Sequence, residues 1–215
     1  MPVQAPAEGF APRIARTLDA FSFDATTELK ARLASYCELV VAWNQRVDLT
    51  AARSADELVD LLLADAIAIA GALPCTASER WLDVGSGVGA PGIPLALLLP
   101  MQMTLVEPRD KRVAFLRSAV GSLARADIAV SRSRSDRFAN ASCTVAVSRA
   151  TLPPEAWLAE GSRLATERVW LLLARAELPE IGARRILADV RYRWPLTRAE
   201  RRAVCVSAAE SPITA

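Results

Sequence analysis

The apolar positions of this chain change their period near residue 80. In "DATTELKARLASYCELVVAWNQ" they fall at Leu29, Leu33, Tyr36 or Cys37, Val40 and Trp43, behind Asp and Thr residues suited to an N-cap, which predicts a helix. "SADELVDLLLADAIAIAGAL" opens with Ser54 and Glu57 in the spacing of a capping box and predicts a second helix. From Arg80 onward short β-type runs take over: "RWLDV", "MTLVE", "IAVSR", "TVAVSR" and "RVWLLLA". Between them lie helical stretches near Pro94 to Leu99, from Arg109 to about Ala124, and near Glu155 to Leu164. This alternation predicts an α/β fold, a doubly wound and mostly parallel sheet with helices on both faces. The tail, "ADVRYRWPL" followed by "RRAVCVSA", has no helix between its two strands and predicts a closing antiparallel hairpin, seven strands in all. The expected organisation is a flexible leader over 1–23, where alanine and proline prevail, a helical extension over 24–75 packed on the sheet domain, and the sheet domain over 76–215.

Composition narrows the chemistry. A chain of 215 residues with 52% hydrophobic content has the size of one ordinary domain and can bury a full core. No apolar run reaches the roughly 20 residues needed to cross a bilayer, since "LVDLLLADAIAIAGAL" is cut by Asp60 and Asp65. The N-terminus lacks the basic start and apolar block of a secretory signal, so a cytoplasmic protein without a membrane segment is expected. Cys37, Cys75, Cys143 and Cys205 are widely spaced and form no C-x-x-C pair, which predicts reduced packing residues and no metal site. The chain has no histidine, and this excludes Ser-His-Asp and Cys-His nucleophile activation.

Net charge is only +2, yet it is uneven. Residues 109 to 149 carry nine basic side chains against three acids, and a second arginine cluster begins at Arg184. Arginine forks suit phosphate oxygens. All but Lys30 and Lys111 of the 26 basic residues are arginine, so composition alone also accommodates plain surface solvation.

The glycine loop sharpens the question. In "RWLDVGSGVGAPGIP" a strand closes on Asp83, and Gly85, Gly87 and Gly89 follow at once. In a doubly wound sheet that turn lies at the ligand site, and an acid closing the next strand takes ribose hydroxyls. Glu107 closes "MTLVE" at the right distance. A G-x-G-x-x-G match at Gly87, Gly89 and Gly92 comes two residues late for a dinucleotide, and Pro91 interrupts the turn where amides meet pyrophosphate. Asp83 at the strand tip repels phosphates and suits a cationic ligand. S-adenosylmethionine, with its ammonium, sulfonium and ribose, fits better than NAD.

The segments "WNQRVDLTAAR", "DVGSGVGAPGIPLAL", "LVEPRDKRVAFLR", "SRSRSDRF", "VSRA" and "AERRAVCV" occur in the order and spacing of one family. Over roughly residues 30 to 206 the chain resembles the bacterial small-subunit rRNA guanine-N7 methyltransferases, also called glucose-inhibited division protein B. The resemblance implies a class I S-adenosylmethionine-dependent methyltransferase fold, Rossmann-like, with N-terminal helices added. It implies S-adenosylmethionine as cofactor and a monomer that methylates N7 of a guanine in 16S rRNA or the small ribosomal subunit. Carried onto this sequence, the expected cofactor residues are Asp83, Gly85, Gly87, Gly89, Ala90, Glu107, Ser135, Asp136 and Arg149. Asn44, Lys111, Arg112, Arg134, Arg149 and Arg201 are expected to face RNA. No residue is expected to act as catalytic acid or base, because N7 carries a lone pair and no proton.

Two places depart from the family pattern. Where the family has Arg-His and then Asp-Ser in the second helix, this chain has Leu61, Leu62, Asp65 and Ala66; where it has Lys-Gly at a strand end, this chain has Leu173 and Ala174. These changes suggest retained cofactor binding with altered acceptor recognition. The alternative readings are a diverged methyltransferase acting on another RNA or a small molecule, and a non-catalytic RNA-binding assembly factor.

Overall fold

Side chains alternate across a strand, so each strand here feeds two cores. β1 (Arg80–Val84) sends Trp81 into one hydrophobic cluster and Leu82 and Val84 into another. The computed structural model describes residues 3–209. β1, β2 (Gln102–Val106), β3 (Ile128–Ser131), β4 (Cys143–Ser148), β5 (Ala165–Leu173), β6 (Ile186–Arg193) and β7 (Glu200–Ser207) form one sheet in the order β3-β2-β1-β4-β5-β7-β6. The first five strands are parallel; β7 lies antiparallel to β5 and to β6 and closes the expected hairpin.

On one face Trp81, Met103, Leu105, Val145, Val147 and Trp170 pack against the helices that precede β1 and those that follow β1 and β2. These are α1 (Ala11–Ala20), α2 (Thr27–Asn44), α3 (Ala55–Val59), α4 (Asp65–Ala70), α5 (Gly92–Leu98) and α6 (Asp110–Ser122). On the other face Val169, Leu171 and Val204 meet Trp157, Leu158 and Leu164 of α7 (Pro154–Leu164). Cys37, Cys143 and Cys205 are buried thiols within this packing. Among the described residues no helix is long and apolar enough to cross a membrane.

Two expectations are corrected. The leader is not loose over residues 11–20: α1 forms there, with Phe10, Ile14 and Leu18 fully buried at four-residue spacing. An alanine-rich composition hid that period, and Pro12 sits in the first turn, where its missing N–H costs nothing. Residues 1 and 2 lie outside the described residues.

The second helix is real but not regular. Ser54 caps it, its hydroxyl accepting from Glu57 N at 3.1 Å, while the Glu57 carboxylate reaches back to Arg53 N rather than to Ser54. A π-turn over Asp60–Ala64 then separates α3 from α4. Residues five apart point about 140° apart on an α-helix, whereas i→i+5 bonding brings them to nearly one face. Asp60 and Asp65, both buried, are such a pair, and both carboxylates turn to the end of β6 and the chain after it. Asp60 accepts from Leu196 N, Thr197 N and the Thr197 hydroxyl. Asp65 Oδ1 accepts from Tyr192 Oη at 2.8 Å and Trp194 Nε1 at 3.0 Å.

Candidate active site at the strand ends

Parallel strands deliver their last residues to one rim, and β1 to β5 bring Asp83, Glu107, Ser131, Arg149 and Leu173 there. The glycine loop after β1 occupies the middle of that rim, where the strand order reverses between β1 and β4. Five of its seven backbone N–H groups are engaged inside the protein, those of Val88 and Ala90 being the exceptions. Gly85 N and Ser86 N donate to the Val106 carbonyl at 2.8 and 3.1 Å, and Gly89 N donates to the Ser86 carbonyl at 2.6 Å. Gly87 N donates to Glu107 Oε2 and Gly92 N to Asp83 Oδ2, both at 3.0 Å. A pyrophosphate needs such N–H groups free.

Two glycines are required for different reasons. At Gly85, φ is +73° and a Cβ would stand 2.1 Å from Thr151 Oγ1, so β4's exit loop excludes any side chain. At Gly87, φ is +55° but the nearest atom to a Cβ would be Arg112 Nη1 at 3.6 Å. A Cβ at Gly87 would therefore clash with nothing and would touch only the end of the Arg112 side chain, and the loop's edge there faces Glu107. Ala90, buried, completes the loop before Pro91.

Asp83 does more for the loop than its sequence position implies. It is only 1% exposed, and its carboxylate is turned to Gly92 N rather than left free at the strand tip. Burial pushes its pKa up to about 7, against the Gly92 N–H bond and the positive charge of Arg149, which favour the carboxylate. Glu107, 3% exposed, holds Gly87 N on one oxygen and Arg109 N on the other at 2.9 Å. Each oxygen keeps a second lone pair.

Ser135 and Asp136 stand in a 3₁₀ turn over Ser135–Arg137, past the end of β3, with the Asp136 side chain exposed. Arg163 of α7 fixes that turn: it donates to the carbonyls of Ser135 and Phe138 at 2.9 and 2.8 Å and pairs with Glu160 through both carboxylate oxygens. Arg149 leaves β4 and reaches the π-turn, donating to the Leu61 carbonyl and to Asp65 Oδ2 at 3.2 Å. Beside it is a cavity of about 180 Å³, walled by Leu61, Arg149, Leu172, Leu173, Trp194 and Arg201. The Arg201 guanidinium lies 3.8 Å over the Trp194 ring.

The family departures divide here. Leu61 and Leu173 line the cavity, but Leu62 is 1% exposed in the main core and does not face the site. The RNA-facing residues divide too. Lys111 and Arg134 are exposed, and Arg112 bends over the open side of Gly87 to within 3.5 Å of the Asp48 carbonyl. Asn44 spends its amide within the chain: Oδ1 accepts from Leu49 N and Thr50 N at 2.9 and 3.0 Å, and Nδ2 donates to the Thr50 carbonyl at 3.3 Å. Sequence reasoning passed over Thr151, Arg163, Tyr192 and Trp194, and treated Asp60 and Asp65 only as interruptions or matches. Two acids five apart in an apolar helix were the available signal.

A seven-stranded sheet in this order, with an antiparallel edge hairpin and a glycine loop after β1, defines a class I methyltransferase fold. A candidate RNA methyltransferase from Pyrococcus horikoshii shares it with a TM-score of 0.53 at 14% identity, over 84% of this chain and 98% of that one. TYW2 of Pyrococcus horikoshii, solved in complex with MeSAdo, aligns with a TM-score of 0.50 at 9% identity, over 62% and 58%. The family model described as rRNA small subunit methyltransferase G matches residues 29–188, and the chain belongs to that family. Among curated relatives, the Ribosomal RNA small subunit methyltransferase G of Dichelobacter nodosus is 34% identical over 75% of this chain and 77% of its own length. That of Pseudomonas paraeruginosa is 38% identical over 60% of this chain, which spans 59% of the relative's length.

Proposed function

We propose that the protein transfers a methyl group from S-adenosylmethionine to N7 of a guanine in 16S rRNA of the small ribosomal subunit, working in the cytoplasm as a monomer. The observation that carries this reading is the state of the glycine loop. Five of its seven amides are already bonded, to Val106, Ser86, Glu107 and Asp83, so few are left to nest a dinucleotide's phosphates, while at Gly87 it lies against a carboxylate suited to a ribose diol. Family membership supports the same reading over a small-molecule acceptor or a non-catalytic assembly factor.

The residues present fit that cofactor. Glu107 would hold the ribose hydroxyls through its unused lone pairs, Asp83 would place negative charge near the methionine end, and Ser135 with Asp136 would meet the adenine edge. Gly85, Gly87, Gly89 and Ala90 would bring backbone into contact with it. Bound there, S-adenosylmethionine supplies an electrophilic methyl group on a cationic sulfur.

The chain's own share of the chemistry is placement. Guanine N7 presents an unprotonated lone pair, so no side chain has to remove a proton, and a protein without histidine loses nothing by it. Holding nucleophile and methyl carbon in line supplies most of the rate. The methylated base carries positive charge, so cations should bind RNA phosphates and stay off the ring; Arg149 satisfies this because Asp65 and the Leu61 carbonyl hold its guanidinium.

The test is transfer of labelled methyl from S-adenosylmethionine to small subunits and 16S rRNA from cells lacking the protein, with the product base mapped as N7-methylguanine. Donor binding without transfer to either substrate would defeat the acceptor assignment. Binding of a pyridine dinucleotide in place of the donor would defeat the cofactor assignment.

A further inference from the structure

The sequence offers two arginine clusters and no means of ranking them. In the structure the second forms a concave surface that runs into the cavity beside Arg149. Strand register shows why. Leu173, the last residue of β5, pairs with Arg202 of β7, and Arg202 pairs with Arg191 of β6, so the hairpin carries its arginines to the same rim as the glycine loop. The chain leaving β5 adds Arg175 to the opposite wall. The result is an open groove of about 860 Å³ whose lining includes five arginines and two glutamates. Leu173, Ala174, Tyr192 and Arg201 belong both to this groove and to the 180 Å³ cavity, so the two are continuous.

Arg202 is held by Asp189 through both carboxylate oxygens, at 2.8 and 2.7 Å, but the charges beside it are looser. Arg175 and Arg191 are exposed, and neither makes a salt bridge or side-chain hydrogen bond among the described residues. Arg193 pairs with Glu200 at 2.9 Å, but both side chains are well exposed, and such a pair is exchanged for another anion at little cost. The 109–149 cluster is likewise partly neutralised, Arg125 by Asp127, Arg132 by Asp110, and Arg149 by Asp65, so what sets the groove apart is its concave form and its continuity with the cavity.

The cavity at the end of the groove has the character of a stacking pocket. An apolar cavity of about 150 Å³ holds one benzene ring, so this one, open toward the groove, has the scale of a nucleobase. Its walls are leucine and the Trp194 indole, on which the Arg201 guanidinium is already stacked. Its buried acceptor, Asp65, already serves Tyr192, Trp194 and Arg149. Few groups are left to read the edge of a base by hydrogen bonds. Recognition must then come from the strand that presents it.

We propose that this groove is the track of the RNA backbone: the phosphates flanking one unpaired nucleotide lie along Arg175, Arg191 and Arg193, and that nucleotide's base enters the cavity past Arg201. Selection of the acceptor therefore resides in the shape and charge of the groove. The proposal rests on the RNA-methyltransferase reading given above, and its test separates the two.

The experiment measures binding of the full-length protein to unmodified small subunits across a salt series, together with steady-state methylation and calorimetric binding of S-adenosylhomocysteine. Arg175→Ala/Arg191→Ala is compared with Arg16→Ala/Arg117→Ala, which removes the same charge from exposed helix positions, one of them in the other cluster. The groove variant is expected to bind subunits at least tenfold more weakly. The slope of log affinity against log salt should be smaller by between about 1 and 2, KM raised and kcat unchanged. Its affinity for S-adenosylhomocysteine should stay within twofold of wild type. Equal losses in both double variants, or a groove variant with wild-type affinity and slope, overturn the proposal while leaving the functional reading intact. A wild-type protein that binds S-adenosylhomocysteine but neither binds nor methylates subunits overturns the functional reading, and this one with it.

Discussion

The hydroxyl of Tyr36, in α2, donates to the carbonyl of Val88 at 2.8 Å, joining an N-terminal helix to the middle of the glycine loop across 52 residues of sequence. Tyr36 is fully buried, and burial raises its pKa well above 10, so it keeps its proton at any working pH. The N-terminal helices are therefore part of how the loop is held, not an appendage.

Tyr36→Phe leaves the Val88 carbonyl buried without a partner, which costs about 1–3 kcal/mol. Urea unfolding should show that loss. Because the loop is the proposed cofactor cradle, affinity for S-adenosylhomocysteine should also fall several-fold by calorimetry. An unchanged affinity would mean that Glu107 and Asp83 hold the loop unaided.

Gly85→Ala meets both a left-handed backbone and Thr151. The variant should lose more than about 2 kcal/mol and most cofactor binding. Adding Thr151→Ala removes the contacts with Oγ1 at 2.1 Å and Cγ2 at 2.7 Å but leaves the Cβ of residue 151 at 2.9 Å and the backbone strain. The double variant should therefore recover stability only in part, which thermal denaturation of both proteins would show. Full recovery would argue that the steric contact alone enforces glycine.

A pH dependence follows from Asp83, whose pKa burial lifts from an ordinary 3.8 to about 7. Between about pH 4 and 7 the native chain keeps a proton that the unfolded chain has released, so stability falls as pH rises through that window. Asp83→Asn should flatten this part of the profile. An ammonium beside it favours the carboxylate, so binding S-adenosylhomocysteine by its amino group near pH 6 should release a proton, and affinity should climb toward pH 7.5. Calorimetry in buffers of different ionisation heat reads that proton directly; no release would place the ligand's ammonium away from Asp83.

Asp65→Ala removes the acceptor of Tyr192, Trp194 and Arg149 together. Breaking a pair this buried should cost about 3 kcal/mol. Asp65→Asn keeps an oxygen for Tyr192 and Trp194 but loses the charge facing Arg149, so it should cost less in denaturant titration while still lowering methyl transfer. Equal stability losses would assign the whole effect to the charge.

Much of the fold was legible because its signals are local. Apolar spacing in residues 24–45, the Ser54 cap, the strand runs after Arg80 and the glycine spacing are each written within a few residues, and they specified element order, a mostly parallel sheet and the position of the loop. The helix over 11–20 escaped because alanine dilutes its period, although Phe10, Ile14 and Leu18 carry it. The π-turn escaped because a five-residue repeat of two acids resembles an interrupted helix until both carboxylates have partners.

What the chain alone determined, then, was which elements form and where a nucleotide-type loop begins. The tertiary structure decided how each polar residue is used, because the partners lie far off in sequence. Glu107 meets Gly87 across 20 residues, Arg149 meets Asp65 across 84, and Trp194 meets Asp65 across 129. A hydrogen bond depends on position in space, and no local pattern records it. The same reason turned Asn44 inward, put Leu62 in the core, and gathered Arg175 and Arg191 in one groove.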